Sequence, residues 1–422
     1  MSVAVALLVA GKGKRMRSHR PKVLHEIAGA PLYIHALHST ANLDVVTTVA
    51  VTGDDGDAVL KSCTDWGLTP RFARQPQQLG TGDALRYALN AMGDHTGPVL
   101  VLYGDTPLIR PDSLHRMITD LEHGSDLVVA GFHAGDPSGY GRMVTNADGR
   151  LQAIIESADT DATTCDIALC NSGLLCGERS NLSDLVNALD TENAAGEYYL
   201  TDIIGIAAER GQKSTVVIVP EEEAMGINTR AELARAEASM QNRLRSQALK
   251  AGTTLIDPAT VYFSHDTVLA ADVLIEPHVV FGRNVSVESG STIRSFSRLE
   301  SCHIGPGARI GPHAHIRPGT EVGPGAQVGN FVEVKASRLA AGVKANHLSY
   351  IGDADIGSKT NIGAGSVVCN YDGRTKHRTR IGEKAFIGSG SMLVAPLKIG
   401  DEALTAAGSV ITEDVPSGAR AF

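Results

Sequence analysis

The sequence predicts two folds in one chain: a Rossmann-like α/β domain with a mainly parallel sheet, joined by a long helix to a parallel β-helix of hexapeptide repeats. Three observations predict this. Aliphatic side chains fall at every sixth position, at Ile304, Ile310, Ile316, Val322, Val328 and Val334, and four of the first five are followed by glycine. Strand-length apolar runs at 3–9, 45–51, 99–103 and 127–132 alternate with helix-length polar or mixed segments. Between the two regions, residues 229–250 contain neither Gly nor Pro.

A period of six fits neither a helix nor a pleated strand, so it marks a repeating coil. Six residues suffice for one short strand and one sharp turn, with the aliphatic inward and glycine supplying turn geometry that a side chain disfavours. Three such units close a triangular coil. The phase returns at Ile356, Ile362 and Val368, at Ile381, Ile387, Leu393, Ile399 and Ile411, and upstream at Val261, Val273, Val279 and Val285. At the strand spacing of about 4.8 Å, roughly eight coils of about eighteen residues would stand on the order of 40 Å tall.

In an α/β sheet, ligands sit at the carboxyl ends of the strands. The first such loop reads LLVAGKGKRMRSHRPKVLH over 7–25. No acidic residue occurs before Glu26, while Lys12, Lys14, Arg15, Arg17, Arg20 and Lys22 are present. Gly11 and Gly13 would let backbone N–H groups approach an anion that these cations neutralise. A solvated turn has the same composition, but its place directly after the first strand favours a polyphosphate. GxxxxGK[ST] is absent, as is the third glycine of GxGxxG. Asp105, in YGD after the third run, could hold Mg²⁺ or cap the next helix.

Residues 229–250 repeat apolar positions at Leu233, Ala236, Met240, Leu244 and Leu249 and predict one long helix. The expected domains are therefore 1–228, a linker helix at 229–250, and 251–422. A chain of 422 residues with 43% hydrophobic content can fill two cores. Aromatics are only 4%, which suits stacked small aliphatics. A net charge of −9 argues against a general nucleic-acid or anionic-membrane surface. Six cysteines without a CxxC pair fit reduced thiols in a cytoplasm rather than structural zinc. The apolar start at 3–10 is too short to span a bilayer and lacks a basic n-region.

Two stretches, 335–350 and 370–380, leave the hexapeptide pattern and concentrate His, Tyr, Asn, Lys and Arg. Loops projecting from rigid coils are where function tends to sit. His347 is the candidate general base, since acylating an amine requires removal of its proton. Taken alone, one of fifteen histidines is more often a surface or capping residue.

LLVAGKGKRM with PKVLH, QLGTG (78–82), YGD, GYGR (139–142), GEYYLTD (196–202) and GIN (226–228) occur in order along the chain. Together they resemble the family of bacterial bifunctional N-acetylglucosamine-1-phosphate uridylyltransferase / glucosamine-1-phosphate acetyltransferases, over nearly the whole chain. The resemblance implies a left-handed β-helix and two activities: acetyl transfer from acetyl-CoA to glucosamine-1-phosphate, then uridylyl transfer from UTP, releasing pyrophosphate. The product, UDP-N-acetylglucosamine, would supply peptidoglycan and lipopolysaccharide precursors. By resemblance, Leu8, Val9, Ala10 and Gly11 with Arg15 and Lys22 would hold UTP and the sugar phosphate, and Gln75, Gly80 and Thr81 would read uracil. Tyr103, Gly104, Gly141, Glu156 and Asn171 would line the sugar pocket, and Asp105 and Asn228 would ligate Mg²⁺. Lys14 stands where the family usually has Thr, adding a cation beside the pyrophosphate.

In the second half, Arg317, Lys335, Tyr350, Asn361 and Lys376 would hold glucosamine phosphate while His347 takes the amine proton. Asn370 and Tyr371 would lie near the thioester, and Ala364, Ser389 and Ala407 would line the acetyl-CoA groove. The family also implies a cytoplasmic homotrimer with sites between subunits. The chain stops at Phe422, short of the family's usual basic tail, so a raised KM for acetyl-CoA is expected. Two alternatives are a nucleotidyltransferase whose β-helix only trimerises and a related sugar-phosphate pyrophosphorylase. His347, Tyr350, Asn361 and CNYDG count against the first, and GEYYLTD with GIN against the second.

Overall fold

The computed structural model describes residues 1–11 and 13–422, so Lys12, one of the expected loop cations, lies outside the described residues. The chain forms two compact units, Met1–Ser239 and Met240–Phe422, and the division falls inside the helix Arg230–Lys250.

The first unit is built on a nine-stranded sheet. Its main path runs Ser214–Ile218, Leu127–His133, Leu169–Glu178, Pro98–Tyr103, Val3–Leu8, Val45–Thr52, Arg71–Arg74. All four apolar runs read from the sequence are strands of this sheet. Val3–Leu8 is buried at every position: Val3, Val5 and Leu7 enter one core, and Ala4, Ala6 and Leu8 the other. A strand covered on both faces reads as a continuous apolar run. Leu169–Glu178 enters the sheet between two otherwise parallel groups and is antiparallel to both neighbours. Its register shifts between Asn171 and Leu175, and its Asn-Ser-Gly interior hides it from a search for apolar runs.

In the second unit, successive hexapeptide aliphatics land on three faces in turn. Ile310 and Val328 lie on a first face, Ile316 and Val334 on a second, and Ile304 and Val322 on a third. The faces carry ten, eight and eight parallel strands, against the roughly eight coils expected. These residues are all but inaccessible and form one continuous core.

The coils turn most of their corners through residues with positive φ. Between the first and second faces these are His278, Phe296, His313, Phe331 and Leu348, followed by Gly365, Gly390 and Gly408. The rings of His278, Phe296, His313 and Phe331 stack in sequence with centroids 4.9–5.0 Å apart. The stretch 335–350, expected to project, instead stays in the coil as the strands Arg338–Leu339, Lys344–His347 and Tyr350–Gly352. Its pattern is irregular only because the steps from Val334 to Leu339 and from Ile351 to Ile356 are five residues rather than six. Only the segment between Val367–Cys369 and Thr379–Ile381 leaves the wall.

Met240 and Gln241 are buried within the second unit. Gln241 Nε2 donates to Phe263 O at 2.7 Å, and Phe263 N donates back to Gln241 Oε1 at 2.8 Å. The helix thereby replaces the missing neighbour of the first coils. Ile316→Ala should cost about 2–5 kcal/mol, because a rigid coil cannot collapse into the cavity, whereas exposed Val268→Ala should cost under about 1 kcal/mol; urea unfolding of the two variants measures the difference.

Candidate active sites

The motifs of the first unit meet at the carboxyl edge of its sheet. Tyr198 N donates to Leu79 O at 2.8 Å and Gly82 N donates to Tyr198 O at 2.9 Å, joining GEYYLTD to QLGTG. Ile227 N donates to Asp105 O at 2.9 Å, joining GIN to YGD, and Asn171 N donates to Gly141 O at 2.8 Å. Gly80 has φ +116°, and a Cβ there would meet Tyr198 O at 2.5 Å, so the loop needs glycine at that point.

Two cavities open along this edge. The first, of 340 Å³, is lined by Leu8, Val9, Ala10, Gly11, Lys22, Gln75, Gly80, Thr81, Tyr103 and Asp105. The second, of 500 Å³, is lined by Arg15, Gly141, Glu156, Asn171 and Asn228, and shares Thr81, Tyr103 and Asp105 with the first. Arg15 thus borders the second cavity rather than the first. Gly104 lines neither: a Cβ there would strike Val9, Val23 and Tyr33, so it serves close packing rather than contact. Lys14 is exposed in the turn Lys14–Met16 and also lines neither cavity. Asp105 does not cap the next helix, whose N-cap is Arg110.

Lys22 Nζ lies between two side-chain oxygens, paired with Asp105 Oδ2 and 3.1 Å from Asn228 Oδ1. A carboxylate and an amide oxygen already converging on an ammonium form a donor set that suits a hard divalent cation such as Mg²⁺. Gln75 is buried, and its amide donates to Gly80 O at 3.1 Å and Asp83 Oδ2 at 2.8 Å. Asp83 escaped the sequence reading, as did Gln78, whose amide bonds Ala10 O, and Thr201, which donates to Glu156 Oε1 at 2.9 Å. Gln78 and Thr201 reach partners 68 and 45 residues away, which spacing does not reveal, whereas Asp83 lies eight residues from Gln75.

Burial raises the pKa of Glu156 and of the Tyr103 phenol. Asp202 is pushed up to about 6, first by burial and then by Glu156, Asp190 and Asp159.

In the second unit the expected residues fall into separate groups. His347 ends a first-face strand, with Nδ1 2.8 Å from Asn330 Oδ1. Ala364 and Ser389 occupy successive coils beside it, with Gly390 N donating to Ala364 O at 2.7 Å, and Ala407 continues the row through Gly408 N to Ser389 O at 2.8 Å. Asn361 begins a first-face strand. Arg317, Lys335 and Tyr350 instead belong to second-face coils. There Arg317 pairs with Glu333 at 2.6 Å, and Lys376 beside Lys335 depresses its pKa. Tyr371 is exposed, but Asn370 is buried; its amide donates to Asp353 Oδ2 at 2.5 Å and Tyr350 Oη at 3.5 Å.

Fold and sites together define a nucleotidyltransferase-type domain carried with a hexapeptide-repeat acyltransferase. Residues 5–174 match the MobA-like NTP transferase domain. Residues 301–336 match the bacterial transferase hexapeptide (six repeats), and 378–413 the hexapeptide repeat of succinyl-transferase. The chain is 49% identical to the bifunctional protein GlmU of Jannaschia sp., covering 100% of this chain and 92% of that protein. It is 50% identical to that of Paracoccus denitrificans (100% and 93%) and 46% identical to that of Zymomonas mobilis (99% and 94%). The chain belongs to the bifunctional GlmU family and is an enzyme with nucleotidyltransferase and acetyltransferase activities.

Asp202 binds its proton more tightly folded than unfolded, so its contribution to stability is present below the ordinary carboxylate range and is lost as pH rises from about 4 to about 6. Asp202→Asn should therefore raise the melting temperature at pH 7.5 more than at pH 4.5. Trp66, the chain's one tryptophan, lies in this unit and reports its unfolding.

Proposed function

We propose that the two units divide the synthesis of UDP-N-acetylglucosamine, with uridylyl transfer in 1–228 and acetyl transfer in 251–422. The single observation supporting the first assignment is the pair of adjoining cavities sharing Thr81, Tyr103 and Asp105. The first suits a nucleotide, with Gln75, Gly80 and Thr81 toward uracil and Gly11 with Lys22 toward phosphate. The second suits N-acetylglucosamine-1-phosphate among Gly141, Glu156, Asn171 and Arg15. The sugar phosphate oxygen attacks the α-phosphorus in line as pyrophosphate leaves. That displacement needs no covalent nucleophile, only positioning and charge neutralisation. Asp105 and Asn228 would hold Mg²⁺, which when bound supplies further charge neutralisation at the phosphates. Asp105→Ala should abolish uridylyl transfer while leaving acetyl transfer largely intact, each half-reaction being assayed separately at saturating Mg²⁺. Equal loss of both in a folded protein would refute the division.

For acetyl transfer, Arg317, Lys335, Tyr350, Asn361 and Lys376 hold the sugar phosphate, and His347 removes the amine proton. Asn370 positions Tyr350 by the bond described above, Tyr371 flanks the thioester, and Ala364, Ser389 and Ala407 leave a shallow row for acetyl-CoA. Arg317, Lys335 and Tyr350 of the phosphate clamp belong to second-face coils whereas His347 lies with Asn361 on the first, and this split supports the reading of a site shared between copies in a cytoplasmic homotrimer. No helix among the described residues is long and apolar enough to cross a membrane. Co-assembling His347→Ala chains with Lys335→Ala chains tests the sharing directly. Each parent should be inactive in acetyl transfer, and randomly mixed trimers should recover about a quarter of wild-type activity, because a site needs one intact residue from each kind of chain. No recovery from verified mixed trimers would show that both residues act from one chain.

A further inference from the structure

The strands Gln327–Asn330 and Lys344–His347 span four residues, whereas the other strands of the first face span two each. This lengthening carries the pairing out to Asn330 and His347, which lie in register on adjacent coils. Gly329 makes the approach possible: a Cβ there would sit 2.0 Å from Asn346 O. At the tip of the pair, Asn330 Oδ1 meets His347 Nδ1 at 2.8 Å. The two face a recess of 280 Å³ that Arg294 and Arg309 also line. No carboxylate lines that recess among the described residues.

We propose that Asn330 is a positioning residue for acetyl transfer, fixing the tautomer and ring plane of His347. The inference rests on the reading of His347 as the base. An amide oxygen only accepts hydrogen bonds, so this contact puts the imidazole hydrogen on Nδ1 and leaves the Nε2 lone pair free. The substrate amine nitrogen then bonds to the thioester carbonyl carbon as its proton passes to Nε2. The C–S bond breaks, and the same proton leaves Nε2 for the departing sulfur, returning His347 to its neutral tautomer. Asn330 touches no reacting atom. A ring held by one bond at Nδ1 presents Nε2 in one direction, whereas an unheld exposed imidazole would divide its time among rotamers and tautomers, most of them unproductive.

The test is steady-state acetyl transfer by the full chain at saturating substrates, over a range of pH, with uridylyl transfer as the control for folding. Asn330→Ala should lower kcat on the order of 10-fold or more, with each KM within about 3-fold of wild type. Asn330→Asp, which can only accept at that position, should restore kcat to within a few-fold and raise the acid limb of the rate profile by about one pH unit, since a carboxylate stabilises the imidazolium. In a His347→Ala background, Asn330→Ala should add no further loss. Wild-type kcat and pH profile in Asn330→Ala, a folded but inactive Asn330→Asp, or a full repeat of the loss without His347 would each overturn the proposal. If His347→Ala alone keeps wild-type kcat, the base reading fails first and the positioning role with it.

Discussion

The β-helix depends on a backbone constraint: a chain that turns three corners per coil meets nearly all of them with a residue at positive φ. For an L-residue that conformation costs roughly 1–2 kcal/mol. Glycine meets the need without strain at Gly290, Gly307, Gly325 and Gly342 on one edge. On the edge between the first and second faces the sequence uses Phe296, His313, Phe331 and Leu348 instead. Stacked rings recover about 0.5–1.5 kcal/mol per pair beyond the area they bury, a magnitude comparable with the strain. Phe296 has a ring on either side of it at 4.9 Å. Where the edge continues as Gly365, Gly390 and Gly408, the ladder gives way to bare backbone beside Ala364, Ser389 and Ala407. His347 lies at the change from one regime to the other.

The first unit solves a different problem. Its loops must bring many cations and backbone N–H groups to one edge without burying them unpaired. The parallel strands Val3–Leu8 and Pro98–Tyr103 end side by side, with Leu8 in register with Tyr103. The loop after Pro98–Tyr103 is then held by the backbone bond from Ile227 N to Asp105 O, and the first loop by side-chain bonds from Lys22 to Asp105 and Asn228. Rigid strand ends thereby fix Asp105 and Lys22 while the surface loop around Lys14 remains exposed.

Legibility in the sequence follows burial. Most inward positions of the coils hold aliphatics, so Ile304 to Val334 declare their register without ambiguity. The four runs buried on both faces of the sheet are equally plain. Leu169–Glu178 was not legible, because its pocket-lining Asn171 and bulge interrupt the apolar pattern. The coil at 335–350 was misread as a projection because a five-residue side breaks the period without breaking the wall. Among site residues, those in contiguous motifs were recognisable, but Thr201 and Asn330 act through partners 45 and 17 residues away that no motif joins to them. Gly104 shows the converse, a motif residue whose visible constraint is packing.

The two sites also differ in the one group their reactions require to differ. A sugar-1-phosphate is already anionic near neutral pH, so its oxygen can attack phosphorus without surrendering a proton to the protein. Among the described residues no histidine lines either cavity of the first unit, and the residues there are suited to neutralising and orienting charge. An amine attacking a thioester must lose a proton before the amide is stable. The second unit carries His347, with one ring nitrogen engaged by Asn330 and the other available. On the proposed assignment, phosphate recognition is shared in kind, by lysine and arginine at both places, whereas proton transfer belongs to His347 of the β-helix. That division of chemistry is the physical ground for proposing separate folds for the two reactions rather than one adaptable pocket.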